Sequence, residues 1–315
     1  MRTVKNVFID IFRMMSSNLI ILIAGLLNTL VIPIILSKSE YGYFRMFYLF
    51  LNYVSFLHLG FLDGFLLRNS GISETVLNKN KIKYRSLVQF ISIFEFFISL
   101  VFIFFSLLSP IEYKFKLILI FIGIYNFFFN LATYYQFMSR VTLNFKRVTI
   151  INSIQYLIII AMICLSLIAH LAGYNFNYLY YFIMMVMSAA VSYYIYMIDY
   201  HDFTFGSLNG ISDNLKEIKK TFCTGISSML GFQSYNILLN MDNLFISLLF
   251  RSSIYADYSL AYSMVTIIIS IITAPSGLAL PYLKRIKNKR IALKFHEIIT
   301  RYLLMLIFLM ITGYY

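Results

Sequence analysis

Residues 36–54 read LSKSEYGYFRMFYLFLNYV: a polar stop from Ser37 to Glu40, then Tyr41-Gly42, then an apolar run that carries one arginine, Arg45. A related junction, FRSSIYADYSLAYSMVTII, occupies residues 250–268. A shift of 214 residues sets Ser39 on Ser253, Tyr41 on Tyr255 and Gly42 on Ala256, and the apolar runs on either side coincide. A junction written twice between long apolar runs implies a duplicated architecture.

The composition around these junctions settles the solvent. Of 315 residues, 60% are apolar and 12% charged, and the mean hydropathy is +0.79. A water-soluble domain carries about 25% charged residues, so this chain cannot clothe a water-facing surface and is expected to be an all-α integral membrane protein. Apolar runs of about 20 residues mark helical spans. They fall near 14–36, 42–67, 87–109, 116–138, 148–170, 176–198, 222–250 and 258–282, with a ninth beginning near 298. The basic start, MRTVKNVF, leads into a long apolar stretch without a small-residue cleavage site, so a retained first span is expected, not a signal peptide.

The net charge of +13 reflects loop placement. With the N-terminus inside, Arg2, Lys5, Arg13, Arg68, Lys79, Lys81, Lys83, Arg85, Arg140, Lys146, Arg147 and the later clusters at 216–220, 284–294 and 301 put 21 basic residues on the cytoplasmic side. Five remain outside: Lys38, Arg45, Lys114, Lys116 and Arg251. That asymmetry is the positive-inside pattern, and it makes a nucleic-acid partner unnecessary. The outer connections at 36–41, 110–115, 171–175 and 251–257 are too short to hold an enzyme domain. Cys164 and Cys223 imply no disulfide framework. His58, His170, His201 and His296 have no ligand-like spacing, so no metal and no cofactor is expected.

Ionisable and amide side chains within hydrocarbon are costly and are functional candidates by default. At 100° per residue, Tyr41, Arg45, Tyr48, Asn52 and Asp63 share one face of the second span, as in the wall of a water-filled cleft. The alternative is that Arg45 and Asp63, near opposite span ends, snorkel to the two interfaces. In the seventh span Gln233, Asn236, Asn240, Asn243 and Ser247 share a face, with Asp242 opposite. These amides either line the cleft or bond neighbouring helices. Asn126, Asn130 and Thr133 form a shorter stripe in the fourth span. Glu95, near mid-bilayer, is either an ion or proton site or a neutral acid bonded to another helix. His58 lies on the face opposite Arg45 and reads as a packed histidine.

Several short pieces, in order, resemble the polysaccharide and oligosaccharide-lipid flippases of the multidrug/oligosaccharidyl-lipid/polysaccharide exporter superfamily. They are Leu36-Ser37-x-x-Glu40-Tyr41-Gly42, Leu59-Gly60-Phe61-x-x-Gly64 with Arg68, Gln136 with Phe145-Lys146-Arg147, Asp242-Asn243-Leu244-Phe245-Ile246, and Tyr255-Ala256-x-Tyr258-Ser259-Leu260-Ala261. The resemblance implies a MATE-like fold of two parallel six-helix bundles, here a first bundle at 1–200, a cytoplasmic linker at 201–221 and the start of a second bundle at 222–315. The second bundle is then expected to stop within its ninth span, at Gly313-Tyr314-Tyr315. It further implies a non-enzymatic flippase of the bacterial inner membrane that carries a polyprenyl-diphosphate-linked oligosaccharide, such as an O-antigen or capsule repeat unit. A polysaccharide polymerase and chain-length machinery would be its protein partners.

On that reading Arg45 and Arg68 attract the diphosphate. Asn52, Asp63, Gln233, Asn236, Asn240 and Asn243 bind sugar, and Glu95, Asp63 or Asp242 couples an ion. The competing readings are a cation-coupled multidrug exporter of the same superfamily, a membrane-embedded polymerase or acyltransferase, and an inactive fragment of a flippase.

Overall fold

The protein is described by a computed structural model covering residues 4–206 and 210–273, with Leu293, Glu297, Thr300, Arg301 and Leu304 beyond them. The described residues form helices and no strand: α1 (Val4–Leu30), α2 (Ile32–Ile35), α3 (Lys38–Leu51), α4 (Phe61–Asn69), α5 (Glu74–Lys79), α6 (Lys81–Leu108), α7 (Tyr113–Val141), α8 (Phe145–Leu171), α9 (Tyr178–Asp199), α10 (His201–Thr204), α11 (Gly210–Asp213), α12 (Leu215–Leu249) and α13 (Ser252–Thr273). Five segments are long and apolar enough to cross a bilayer: Ser16–Ile35, Lys81–Leu108, Tyr113–Val141, Phe145–Leu171 and Tyr178–Asp199. A sixth is α3 plus α4 taken as one span bent by 53°. Phe96, Phe97, Val101, Phe104, Phe105 and Leu108 stand exposed on α6, an apolar band suited to lipid. The far part of the expected eighth span, the ninth span, Pro275, Pro281, the basic cluster at 284–294 and the chain end lie outside the described residues.

Two sequence expectations change. The stretches 68–86 and 199–221, expected as loops, largely form α5, the first turns of α6, α10, α11 and the start of α12. Charged residues end a membrane span, but they do not end a helix. The second span, expected to run straight over 42–67, is broken. After α3 come a 3-10 turn at Val54–Phe56 and then Leu59 and Gly60, both left-handed with φ of 48° and 81°. The buried imidazole of His58 stabilises this break, its Nδ1 accepting from the Gly60 amide at 3.1 Å. A face traced at 100° per residue therefore does not continue from Arg45 to Asp63.

The opening motif explains where α3 begins. Ser37 and Glu40 form a capping box: the Ser37 hydroxyl accepts from the Glu40 amide, and the Glu40 carboxylate accepts from the Ser37 amide at 3.3 Å. From that start α3 packs on α13, and α4, beyond the break, packs on α12. Phe44, Phe47, Tyr181, Phe182 and Tyr255 form a buried cluster around α3. Phe61, Phe65, Tyr84, Tyr134 and Tyr196 form another around α4. The bend lets one span serve both clusters.

Small residues set the helix spacing, as in many membrane interfaces. A Cβ at Gly42 would overlap the Ser252 carbonyl, one at Gly64 the Thr221 carbonyl, and one at Gly225 the Gly60 carbonyl. The α3–α13 contact follows the 214-residue shift. Arg45 Nη2 donates to the carbonyl of Ser259, the residue 214 positions on, at 3.3 Å. Lys38 pairs with Asp257 at 2.7 Å, while Tyr43 and Ser252, the counterparts of those two, also lie against each other.

At the opposite end of the bent span, Glu217 in the first turn of α12 bridges Arg68 of α4 and Lys83 of α6, each at 2.7 Å. Burial would raise this carboxyl. The hydrogen bond and charge of Lys83, with the charges of Arg68 and Lys220, outweigh that and hold it below its ordinary value of 4.5. A group depressed in the folded state stabilises above its unfolded value and loses that stabilisation as pH falls through the folded one.

Two predictions follow from this packing. Gly42→Ala should cost about 1–3 kcal/mol through overpacking. Gly231→Ala, with open space at the added methyl, should gain up to about 1 kcal/mol of helix propensity. Thermal unfolding in detergent should move in opposite directions for the two variants. In the same assay, the wild type should lose stability more steeply than Glu217→Gln as pH is taken below 4.5, and parallel curves would show that the bridge contributes nothing.

Candidate functional site

Between the two aromatic clusters lies a cavity of about 680 Å3, walled by α1, α3, α7, α8, α9, α12 and α13. That volume is in the range of small-molecule sites, about 300–1,000 Å3. Arg45 is in its wall, 7% exposed, with its guanidinium 5.3 Å from the Tyr48 ring. One of its nitrogens donates to Ser259, whereas its buried Nε has no hydrogen-bond partner. No carboxylate lies within ion-pair distance of Arg45 among the described residues, and none lines the cavity. A buried arginine without a counter-ion is an uncompensated positive charge in a medium of low dielectric, and it attracts an anion strongly.

The remaining polar lining is uncharged and rich in amides: Asn28, Asn52, Gln136, Asn152, Gln155, Asn236, Asn240 and Asn243. Each amide offers both donors and an acceptor, a complement suited to hydroxyl-rich ligands. The amides are held in place by one another and by neighbouring hydroxyls. Gln136 donates to Asn152 at 2.8 Å, and Asn240 lies 3.2 Å from the Tyr262 hydroxyl. Tyr48, Tyr125, Phe129, Tyr156 and Tyr196 supply aromatic faces between them.

The residues singled out from the sequence separate in space. Arg45, Asn52, Asn236, Asn240 and Asn243 meet at the cavity. Gln233 sits behind this wall, where its amide bonds Ser55 and its carbonyl oxygen accepts from Asn236 at 3.0 Å. Asp242 faces away and accepts a hydrogen bond from Tyr258 of α13. Asp63, turned by the break, is 3.8 Å from His58 and does not line the cavity. Arg68 is held by Glu217. The fourth-span stripe divides: Thr133 reaches the cavity, whereas Asn126 and Asn130 are fully buried and bond Glu95 and the Val54 carbonyl.

The cavity also contains residues the sequence reading passed over. Asn152, Gln155 and Tyr156 of α8 lie at helical spacing of three and four and carry the same signal as the α12 amides. Asn28 and Thr29 near the end of α1 are a weaker version of it. Among the described residues no group of three or more His, Cys, Asp or Glu side chains could hold a metal ion.

Neither the curated proteins nor the solved structures gave a significant match to the chain. A family model described as "Polysaccharide biosynthesis protein" matches residues 10–287, which takes in every wall of the cavity. The chain therefore belongs to the polysaccharide biosynthesis protein family, as a membrane protein with several helices able to cross a bilayer.

Proposed function

We propose that this protein moves a polyprenyl-diphosphate-linked oligosaccharide, such as an O-antigen or capsule repeat unit, across the bacterial inner membrane by alternating access. The observation that carries this reading is the cavity's charge pattern among the described residues: one buried arginine without a counter-ion and eight amides, with no carboxylate. Arg45 meets a diphosphate oxygen, the amides of α3, α8 and α12 meet sugar hydroxyls, and the lipid tail stays in the bilayer. A cation-exporting relative would need acidic groups in the wall, and this wall has none among the described residues.

The same reading takes the chain as two bundles related by an axis along the membrane normal, 1–200 and 222–315, joined through the cytoplasmic segment 201–221, with the N-terminus inside. Support comes from the α3–α13 contact. A residue touches its own counterpart only beside a two-fold axis, and Arg45 touches Ser259. Transport then means rocking α3 and α4 against α12 and α13 around the cavity. Arg68, bonded to Glu217, acts at the cytoplasmic end as part of the closure between the bundles, and Asp63 beside His58 belongs to the hinge. Glu95 is the candidate for ion coupling.

Surface glycan display in a cell whose own flippase is deleted tests the reading. Loss of a charge-assisted hydrogen bond costs about 1.5–3 kcal/mol, so Arg45→Ala should lower display by about tenfold or more at equal protein level. Arg45→Lys, which keeps the charge and loses the planar fork, should fall between. Asn240→Ala with Asn243→Ala should also reduce display. Undiminished display from Arg45→Ala would reject the diphosphate role.

A further inference from the structure

Outside the cavity, one cluster in the membrane-spanning region lacks an electrostatic explanation. Glu95 of α6 is fully buried, and so are Asn126 and Asn130 of α7. The Asn126 amide donates to Glu95 Oε2 at 2.8 Å and to Ser99 Oγ at 3.2 Å. The Asn130 amide donates to Asn126 Oδ1 at 3.0 Å and to the Val54 carbonyl at 3.4 Å. The Asn130 side chain also lies close to the Glu95 carboxyl but bonds Asn126 and Val54 instead. Two acceptors remain unused in this buried space, Glu95 Oε1 and Asn130 Oδ1. The cluster is short of a donor.

No cation supplies one. Glu95 makes no ion pair among the described residues. Of the helices packed on α6, α4 carries Asp63 and Arg68, α5 carries Glu74 and Lys79, α7 carries Lys114, Lys116 and Arg140, α10 carries His201 and Asp202, α11 carries Asp213, and α12 carries Lys216, Glu217, Lys219, Lys220 and Asp242. The charges of α6 itself, Lys81, Lys83 and Arg85, sit in its first turns, where Lys81 pairs with Asp202 and Lys83 with Glu217. Asp63, beyond the break, faces His58. The side chains bonded to Glu95 and its amide partners are neutral. An ionised carboxylate buried with only amide and hydroxyl neighbours costs several kcal/mol, whereas one proton on Oε1 removes the charge and provides the missing donor.

We propose that Glu95 is a proton-binding site, occupied in this conformation, whose proton holds the α3–α4 break through Asn126, Asn130 and the Val54 carbonyl. The linkage is continuous beyond that point. Ser55, next to Val54, lines the cavity and accepts from Gln233 of α12, and Gln233 in turn accepts from Asn236 of the cavity wall. When the proton leaves Oε1 for water, the carboxylate needs donors on both oxygens. A neighbouring donor is the Asn130 amide, and drawing it in releases Val54. Proton occupancy on α6 thereby sets the geometry of the bent span and of the cavity face of α12. The inference deepens the transport reading by naming the ion and the element it acts on, but its test needs no substrate.

The test uses the full chain in lipid nanodiscs, in sodium-free buffer and in buffer with sodium in place of N-methylglucamine. Infrared spectra should show the carbonyl band of a protonated carboxylic acid at neutral pH, and Glu95→Gln should lose it. Amide exchange at Val54–Gly60 should speed up in the wild type over the pH range in which that band disappears. Glu95→Gln should exchange slowly throughout. Asn130→Ala should keep the band and lose the link, so exchange at the break no longer follows it. A band that survives in Glu95→Gln would overturn the assignment, and a band removed by sodium at constant pH would make this a sodium site. Coupling seen here in a protein that displays no glycan would defeat the transport reading and leave the proton site standing.

Discussion

Two helices cannot approach more closely than their side chains allow, and at Gly42 there is none. The backbone of α3 there meets the Ser252 carbonyl at the start of α13. Arg45 lies one turn on, buried and within reach of α13. It bonds the Ser259 carbonyl and forms part of the cavity wall, with its Nε buried and without a partner. A bulkier residue at position 42 would separate α3 from α13, loosen Tyr255 against the Arg45 carbonyl, and let the arginine reach toward the interface. The burial of the arginine thus follows from a glycine three residues earlier.

The bent span transmits this constraint along the membrane. Its first half is fixed to α13 through Gly42 and its second half to α12 through Gly60 and Gly64. A straight helix held at both points would fill the space between them. The turn at Val54–Phe56 and the left-handed pair Leu59-Gly60 move the chain aside. Left-handed backbone costs a non-glycine residue about 1–2 kcal/mol, so Leu59 holds its conformation against a local cost, helped by the His58 bond to Gly60. Closure at the two ends and space in the middle are one arrangement.

What could be seen in the sequence follows from the range of each interaction. The α3 start is written in four residues, Ser37 to Glu40, as a capping box, yet the same polar stretch reads as an outer connection, and the span is expected from 42. The α12 amides were legible because helical period projects them on one face. The break was not: no proline marks it, and an apolar run reads as straight unless something says otherwise. His58 beside Gly60 was the available sign. Once the helix bent, Asp63 left the Arg45 face. The fate of Arg68 depended on Glu217, 149 residues away, and no single sequence encodes that distance. Asn126, Asn130 and Thr133 share a face by period but not a fate, because α6 covers one stretch of α7 and the cavity opens along the next.

The same physics explains why α12 is not apolar enough to stand as a span by composition, although its 35 residues reach about 52 Å. Amides that suit a polar ligand are the residues a lipid-facing helix lacks, and Asp242 alone would cost roughly 2.5–3.5 kcal/mol at the bilayer centre. In place, several of its polar groups are answered by another helix or by the cavity, through Tyr258 and Tyr262 of α13, Ser55 at the break and the open volume itself, whereas the buried Asn243 amide nitrogen has no partner. The glycine contacts with α4 complete the fit. Its low hydropathy and the polar cavity are therefore two views of one fact: polar groups of α12 meet α13, the break and the cavity, where a lipid-facing helix would carry apolar ones.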